Sequence, residues 1–165
     1  MKKILLLLTL ILLFTSPSAH ATDPVEGPKR CEQCGMDRTT FAQSRMLILY
    51  ADGSTVGVCS LHCAAVELQE SKEKPLSSLM VADYTTKELI DARKATWVVG
   101  GKKKGVMTAQ AKWAFAKPEE AKRFMEENGG TLNTFDQALH AATMEVLEMA
   151  AEEQAVEKEM HHERQ

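Results

Sequence analysis

The chain has no basic stripe, no second long apolar run and no phosphate-cradling glycine loop, and each absence removes a class of function. Its 20 Lys and Arg stand against 23 Asp and Glu, a net charge of −3, so the electrostatic footprint of a nucleic-acid binder is missing. No Ser/His/Asp set and no paired-carboxylate arrangement stands out, and the reading is a non-enzyme. The nine methionines are scattered rather than clustered, which argues against a site built from thioethers alone. Cysteine is scarce too, but its placing is informative. The four present fall in two short groups, Cys31-Glu-Gln-Cys34-Gly-Met36 and Cys59-Ser-Leu-His62-Cys63.

Met1 to Ala21 has the three-part form of a secretory signal. Lys2 and Lys3 open it, Ile4 to Phe14 is almost wholly Leu and Ile, and Ser18-Ala-His-Ala21 supplies the small-x-small cleavage site. The apolar run is about half the roughly 20 residues that a membrane span needs. The expectation is cleavage after Ala21 and an exported, periplasmic protein with no stable membrane span. Loss of the two lysines takes its charge to −5. Cys31 follows Pro28-Lys29-Arg30, which is not a lipid-attachment context.

The remaining residues divide by pattern. Residues 22–30 read as a flexible polar lead. Arg45 to Tyr50 reads as a buried strand, Asp52-Gly53 as a tight turn and Ser54 to Cys59 as the returning strand. Ser60 is placed to cap a helix from Leu61 to about Glu73, stopped by Pro75. Leu79 to Tyr84 reads as a further strand. Thr96 to Val99 opens a second unit, with a Gly-rich turn over 100–105, an extended piece over Val106 to Ala109 and a strand over Lys112 to Ala116. Pro118 starts a helix that Gly129-Gly130 ends. Thr134 and Gln137 have capping-box spacing before a long helix to about Glu157, with Leu139, Ala142, Val146, Met149 and Ala150 as its apolar stripe and a frayed end at Met160-His161-His162-Glu163. The fold expected is α+β, with two small ββαβ-type units packed together: a first ββαβ-like unit over 31–94 that carries the cysteine motifs, a second over 95–132 in which only ββα is read, and a long C-terminal helix and frayed tail over 133–165. The order of elements repeats, as in a degenerate duplication.

This placing sets Cys59 at a strand end and Cys63 in the first turn of a helix, where unsatisfied backbone N–H groups favour thiolate. The hairpin brings the second cysteine pair back towards the first. Four chemistries then compete. An exported chain favours disulfides. Four sulfurs suit tetrahedral zinc in a structured binding module. Thiolate and thioether donors select Cu(I). Cys-x-x-Cys is also the spacing of a thiol–disulfide oxidoreductase, although Gly35-Met36-Asp37 leads into no strong helix. His62 and Met36 are the extra donors within the two groups.

Cys31-x-x-Cys34-Gly-Met36-Asp37 resembles the signature of the NosL family of nitrous oxide reductase accessory proteins. So do Val81-Ala-Asp-Tyr84-Thr-Thr86 through Ile90-Asp-Ala92, Val106-Met107-Thr108 where the family commonly has Pro-Met-Gly, Pro118-Glu-Glu-Ala121 to Gly129-Gly130, and Thr134-Phe-Asp136. The resemblance spans Cys31 to Leu139. It implies two ββαβ units and a periplasmic Cu(I) carrier serving an apo copper enzyme such as nitrous oxide reductase. The chain lacks the lipid-anchoring cysteine of many members, and its Cys59 and Cys63 resemble the Cys-x-x-x-Cys of YHS- and TRASH-type metal modules. The expected Cu(I) ligands are Cys34 and Met36, with Cys31 assisting and Met107 contributed by the second unit. Cys59 and Cys63 are expected as a disulfide or a neighbouring thiol pair, and His62 as a further metal candidate.

Overall fold

The structure is a computed structural model describing residues 26–162, so the signal segment expected over Met1 to Ala21 and its expected cleavage site lie outside the described residues. Strand β1 (Met46–Tyr50) alternates as its sequence demands, with Met46, Ile48 and Tyr50 turned to the core. Gly53, at φ 84°, makes the turn after it, and the Asp52 carboxylate accepts from the Ser54 backbone N–H at 2.8 Å. Strand β2 (Thr55–Val58) returns antiparallel with Met46 opposite Val58. The Ser60 hydroxyl then caps helix α1 (Leu61–Glu70) by accepting from the Cys63 N–H. The helix stops short of Glu73: the backbone leaves helical dihedrals at Ser71, φ −104° and ψ 25°, and the Lys74 N–H turns back to the Ser71 carbonyl at 2.8 Å. Strand β3 (Leu76–Ala82) starts earlier than the apolar run at Leu79, since Leu76 already pairs with Tyr50, and β4 (Leu89–Asp91) pairs with its far end.

The second unit comprises β5 (Thr96–Val99), β6 (Lys112–Phe115), helix α2 (Pro118–Asn128) and β7 (Thr131–Asn133). The two sheets run β2-β1-β3-β4 and β6-β5-β7, antiparallel throughout. In each, the unit's first strand is central, between the second strand and the strand that follows the helix. The expected α+β fold of two small ββαβ-type units is therefore the observed one, with β4 added to the first. Residues 106–109 form no strand. Thr108 Oγ1 is instead shared between the Gln110 carbonyl, at 2.8 Å, and Glu145 of the last helix.

One apolar core runs through both sheets and the base of the last helix, from Met46 and Val58 to Trp97, Trp113 and Phe135. Asp83, just past β3, accepts from the Ala116 N–H at 2.8 Å, and the Tyr84 N–H donates to the Ala114 carbonyl at 2.8 Å. The Tyr84 ring lies 4.8 Å from Phe124 and 5.2 Å from Trp113, each edge-on. The stretch expected as a flexible lead is held where it is described. Glu26 pairs with buried Arg45 at 2.6 Å, and Arg30 bridges to Asp37.

Helix α3 (Phe135–His162) carries its capping box: the Thr134 N–H donates to Gln137 Oε1 at 2.9 Å and the Gln137 N–H returns to Thr134 Oγ1. Phe135, Ala138 and Ala142 are buried, and Leu139 and Val146 are partly so. From Leu147 to His162 every side chain is exposed, including Met149 and Ala150, which the apolar stripe had placed inside. The helix outruns the body it packs on and continues through Met160, His161 and His162 of the end expected to fray, Glu163 lying outside the described residues.

Candidate metal centre

The four cysteines meet in one pocket. Their Sγ atoms all lie within 4.8 Å of one another, Cys34 to Cys59 at 3.5 Å and Cys59 to Cys63 at 3.7 Å. These are free thiols, and the Cys59–Cys63 pair stands as neighbouring thiols rather than as a disulfide. Metal–sulfur bonds of about 2.3 Å place sulfurs about 3.8 Å apart in a tetrahedral site; the Cys34–Cys59 and Cys59–Cys63 separations lie close to that, and none exceeds 4.8 Å. The donor set thus fits a soft or borderline ion before any ion enters.

Local structure explains the convergence. Cys31 and Cys34 sit on a turn closed by the Cys31 N–H to the Met36 carbonyl and the Gly35 N–H to the Cys31 carbonyl, each 2.8 Å. Gly35 supplies the positive φ, 74°, that this return needs. The turn is fixed to β2, since Glu32 N–H donates to the Gly57 carbonyl at 3.0 Å and Glu32 Oε1 accepts from the Gly57 N–H at 3.1 Å. Cys59 follows β2, and Cys63 is one helical turn further on. Three sulfurs belong to buried residues, Cys31, Cys59 and Cys63, while Cys34 is half-buried. The Cys-x-x-Cys lies in a turn and not at a helix N-terminus, unlike the arrangement of a dithiol oxidoreductase.

The cluster shares its charge unevenly. Thiol donors on Cys59 and Cys63 hold the Cys31 thiol far below the ordinary range. The same hydrogen bond to Cys31, with burial, pushes Cys59 up to about 12 and raises Cys63 further. A first thiolate is therefore easy and the next ones are resisted. A cation entering the pocket replaces the protons that hold the other sulfurs neutral.

Of the remaining candidates, His62 is not among these converging donors. Met36 is half-buried against the core, with its carbonyl closing the Cys31 turn. Met107 is exposed on the loop between β5 and β6, at a left-handed φ of 55°. His62 is buried beside α3 in a cavity of about 470 Å³ shared with Val66, Val146 and Met149. Its Nδ1 has no hydrogen-bond partner, and burial lowers its pKa.

Sequence reasoning missed two residues that build the pocket. Arg38 is fully buried and donates to the carbonyls of Val58 and Met46. Gln33 donates to Glu67. Neither carries a periodic signal, and a charged residue in a polar loop reads as solvated.

Fold and cluster together define a two-sheet α+β protein carrying a four-thiol pocket of metal-site dimensions. The chain belongs to the NosL family, whose model matches residues 23–143. Its fold is similar to the crystal structure of the copper chaperone NosL from Shewanella denitrificans, with a TM-score of 0.56 and 22% identity over 70% of this chain and 92% of that one. The solution structure of the apo-NosL protein from Achromobacter cycloclastes aligns with a TM-score of 0.39 and 23% identity, over 55% of this chain and 82% of the other. No curated protein sequence matches significantly.

Proposed function

We propose that this protein is a periplasmic Cu(I) metallochaperone that carries its cargo in the Cys31/Cys34/Cys59/Cys63 pocket and delivers it to an apo copper enzyme such as nitrous oxide reductase. The observation that carries this reading is the convergence of four sulfurs within 4.8 Å, three of them buried and one at the rim. Thiolates select a soft monovalent ion over harder competitors, and burial keeps water from it. A half-exposed Cys34 gives an incoming ligand one sulfur to displace, so exchange can proceed stepwise. Family membership and the copper chaperone of similar fold support the same role, and the signal-like N-terminus supports export. The cysteine geometry moves weight from Met36 and Met107 to Cys59 and Cys63. Met36 is then a neighbour of the holding set, Met107 an exposed thioether available at handover, and His62 a packing residue beside α3.

Anaerobic Cu(I) titration of variants tests the assignment. Cys34→Ser and the double change Cys59→Ser/Cys63→Ser are each expected to collapse affinity, while Met36→Leu leaves it within a few-fold. An unaffected double variant returns the site to Cys34 and Met36. The tetrahedral spacing also favours zinc as a second reading, in which the ion is structural. Chelation would then unfold the protein, and Cu(I) would not pass to an apo acceptor.

A further inference from the structure

Between the two cysteines of the first pair, Glu32 is tied to β2 and Gln33 reaches the other way, across to α1. Gln33 Nε2 donates to Glu67 Oε2 at 2.8 Å and to Glu70 Oε2 at 3.0 Å. Glu67 stands one helical turn beyond Cys63 and Glu70 nearly two, so this fork fastens the turn carrying Cys34 over the helix carrying Cys63. The anchor is itself fixed: Glu67 is buried, and Oε1 accepts from the Tyr50 hydroxyl at 2.8 Å and from the Ser71 hydroxyl at 2.9 Å. Gly35, with its positive φ, adjoins Cys34 on the opposite side from Gln33, its N–H bonded to the Cys31 carbonyl and its carbonyl accepting from Arg30 Nη1 at 3.1 Å, so that end of the turn is tied to the first cysteine and not to α1.

We propose that the Gln33–Glu67 contact is the latch of the metal pocket: it holds Cys34 against the three buried sulfurs and sets the rate at which the rim sulfur lets its ion go. The proposal rests on the pocket's being a cargo site. Cys31 is fixed by backbone hydrogen bonds, and Cys59 and Cys63 by β2 and α1; Cys34 stands between Gln33 and Gly35, and the Gln33 fork is the contact that ties its turn to the helix carrying Cys63. Release is a ligand exchange with no electron transfer. An incoming donor forms a bond to the ion, the Cys34 sulfur–metal bond breaks, and the freed thiolate takes a proton from solvent. Gln33 touches neither ion nor sulfur in this step and is a positioning residue.

Two readouts test it on the chain beginning at Thr22. In the metal-free protein, alkylation by iodoacetamide is mapped to each cysteine by mass spectrometry. Gln33→Ala is expected to raise Cys34 labelling about tenfold, the factor that roughly 1.4 kcal/mol of lost closure gives, and to leave Cys31, Cys59 and Cys63 unchanged. In the loaded protein, release of Cu(I) to the chromogenic chelator bicinchoninate should quicken by a similar factor. Gln33→Lys, which places a cation between Glu67 and Glu70, should slow both, and Glu67→Gln should reproduce Gln33→Ala in part. A purely structural role would raise labelling at all four cysteines and lower the melting temperature. That result, or rates within twofold of the parent, overturns the latch. If the parent takes up Zn(II) but no Cu(I), the copper reading fails on its own, and the latch is read from Zn(II) release to 4-(2-pyridylazo)resorcinol. Uptake of neither ion overturns both.

Discussion

The guanidinium of Arg38 donates through Nε to the carbonyl of Val58 at 3.2 Å, one residue ahead of Cys59. The same side chain donates to Met46 on β1 at 2.9 Å and to the carbonyls of Glu26 and Pro28 in the lead. One buried cation thus joins the lead, β1 and β2 where the second cysteine pair begins. Its hydrogen bonds end on carbonyls; burial, and then the neighbouring Arg45, lower its pKa, with the Cys31 thiolate and Glu26 working in the opposite direction. Replacing it leaves the carbonyls of Val58, Met46, Glu26 and Pro28 without this donor. Arg38→Met is expected to cost about 3 kcal/mol in urea unfolding of the metal-free protein. Gly57→Ala should act in the same direction, because a Cβ there would stand 2.7 Å from the guanidinium Nη1 and 3.0 Å from Pro28 Cδ.

Metal uptake should depend steeply on pH. In the metal-free pocket, the hydrogen bonds to Cys31 together with burial raise both Cys59, to about 12, and Cys63, so both carry protons at pH 7. An ion bound by both thiolates must expel those protons, so the apparent affinity rises with pH. Two protons correspond to about a hundredfold per pH unit across the neutral range. Competition titrations at pH 6, 7 and 8 measure the slope, and proton release into a weak indicator buffer gives the same count. A slope near zero would remove Cys59 and Cys63 from the ligand set.

The hairpin and the helix that carry the second cysteine pair were legible because each has a local cause. The Asp52-Gly53 turn and the Ser60 cap act within a few residues, and the inward side of β1 alternates with period two. Strand β7 was not legible. It is three residues long, its first two side chains are exposed, and its existence depends on Gly129 and Gly130, at φ 78° and 93°, turning Thr131 back alongside Val99. The two Cys pairs could be matched through the hairpin, but not the contacts that fix them. Gln33 to Glu67 and Arg38 to Val58 are tertiary hydrogen bonds between residues 34 and 20 apart, invisible to any periodic pattern. The end of α3 misled for the opposite reason: its apolar stripe continues beyond the body that could bury it.

Asp83 makes a prediction about acid stability. Burial pushes its carboxyl up, but hydrogen bonds from the Ala116 and Thr86 N–H groups and the Thr86 hydroxyl outweigh that and lower it. A carboxyl with a lowered pKa in the fold stabilises it fully above its unfolded pKa, near 3.9. That contribution is lost as pH falls through the lower folded value. Asp83→Ala should therefore cost about 2–3 kcal/mol at pH 7, through unpaired N–H groups where the two sheets join. The gap between variant and parent should narrow below about pH 4. Urea unfolding at pH 7, 5 and 3.5 measures it, and a gap constant with pH would show that the carboxylate charge contributes nothing.

Helix α3 is held by its first half, and the contact that marks the limit is between Lys112 and Glu145. Their charged atoms lie 2.8 Å apart, with the Lys112 side chain 1% exposed and that of Glu145 20%. Lys112 also donates to Thr108 Oγ1 at 3.0 Å and to the Gln110 carbonyl at 2.8 Å, so Glu145 supplies its countercharge while the loop supplies its other acceptors. Glu145→Ala leaves a buried ammonium without an anion and should destabilise the protein by about 3 kcal/mol. Beyond Leu147 every described side chain of the helix is exposed, so a chain ending at Ala150 loses no buried side chain, only the edge that Glu152, Glu153 and Val156 give to the cavity beside His62. That truncation should keep its unfolding midpoint within experimental error of the parent and take up metal as before. Calorimetry on the two variants separates the halves. A truncation as damaging as Glu145→Ala would mean that the outer turns of α3 pack in solution against something the exposed face does not show.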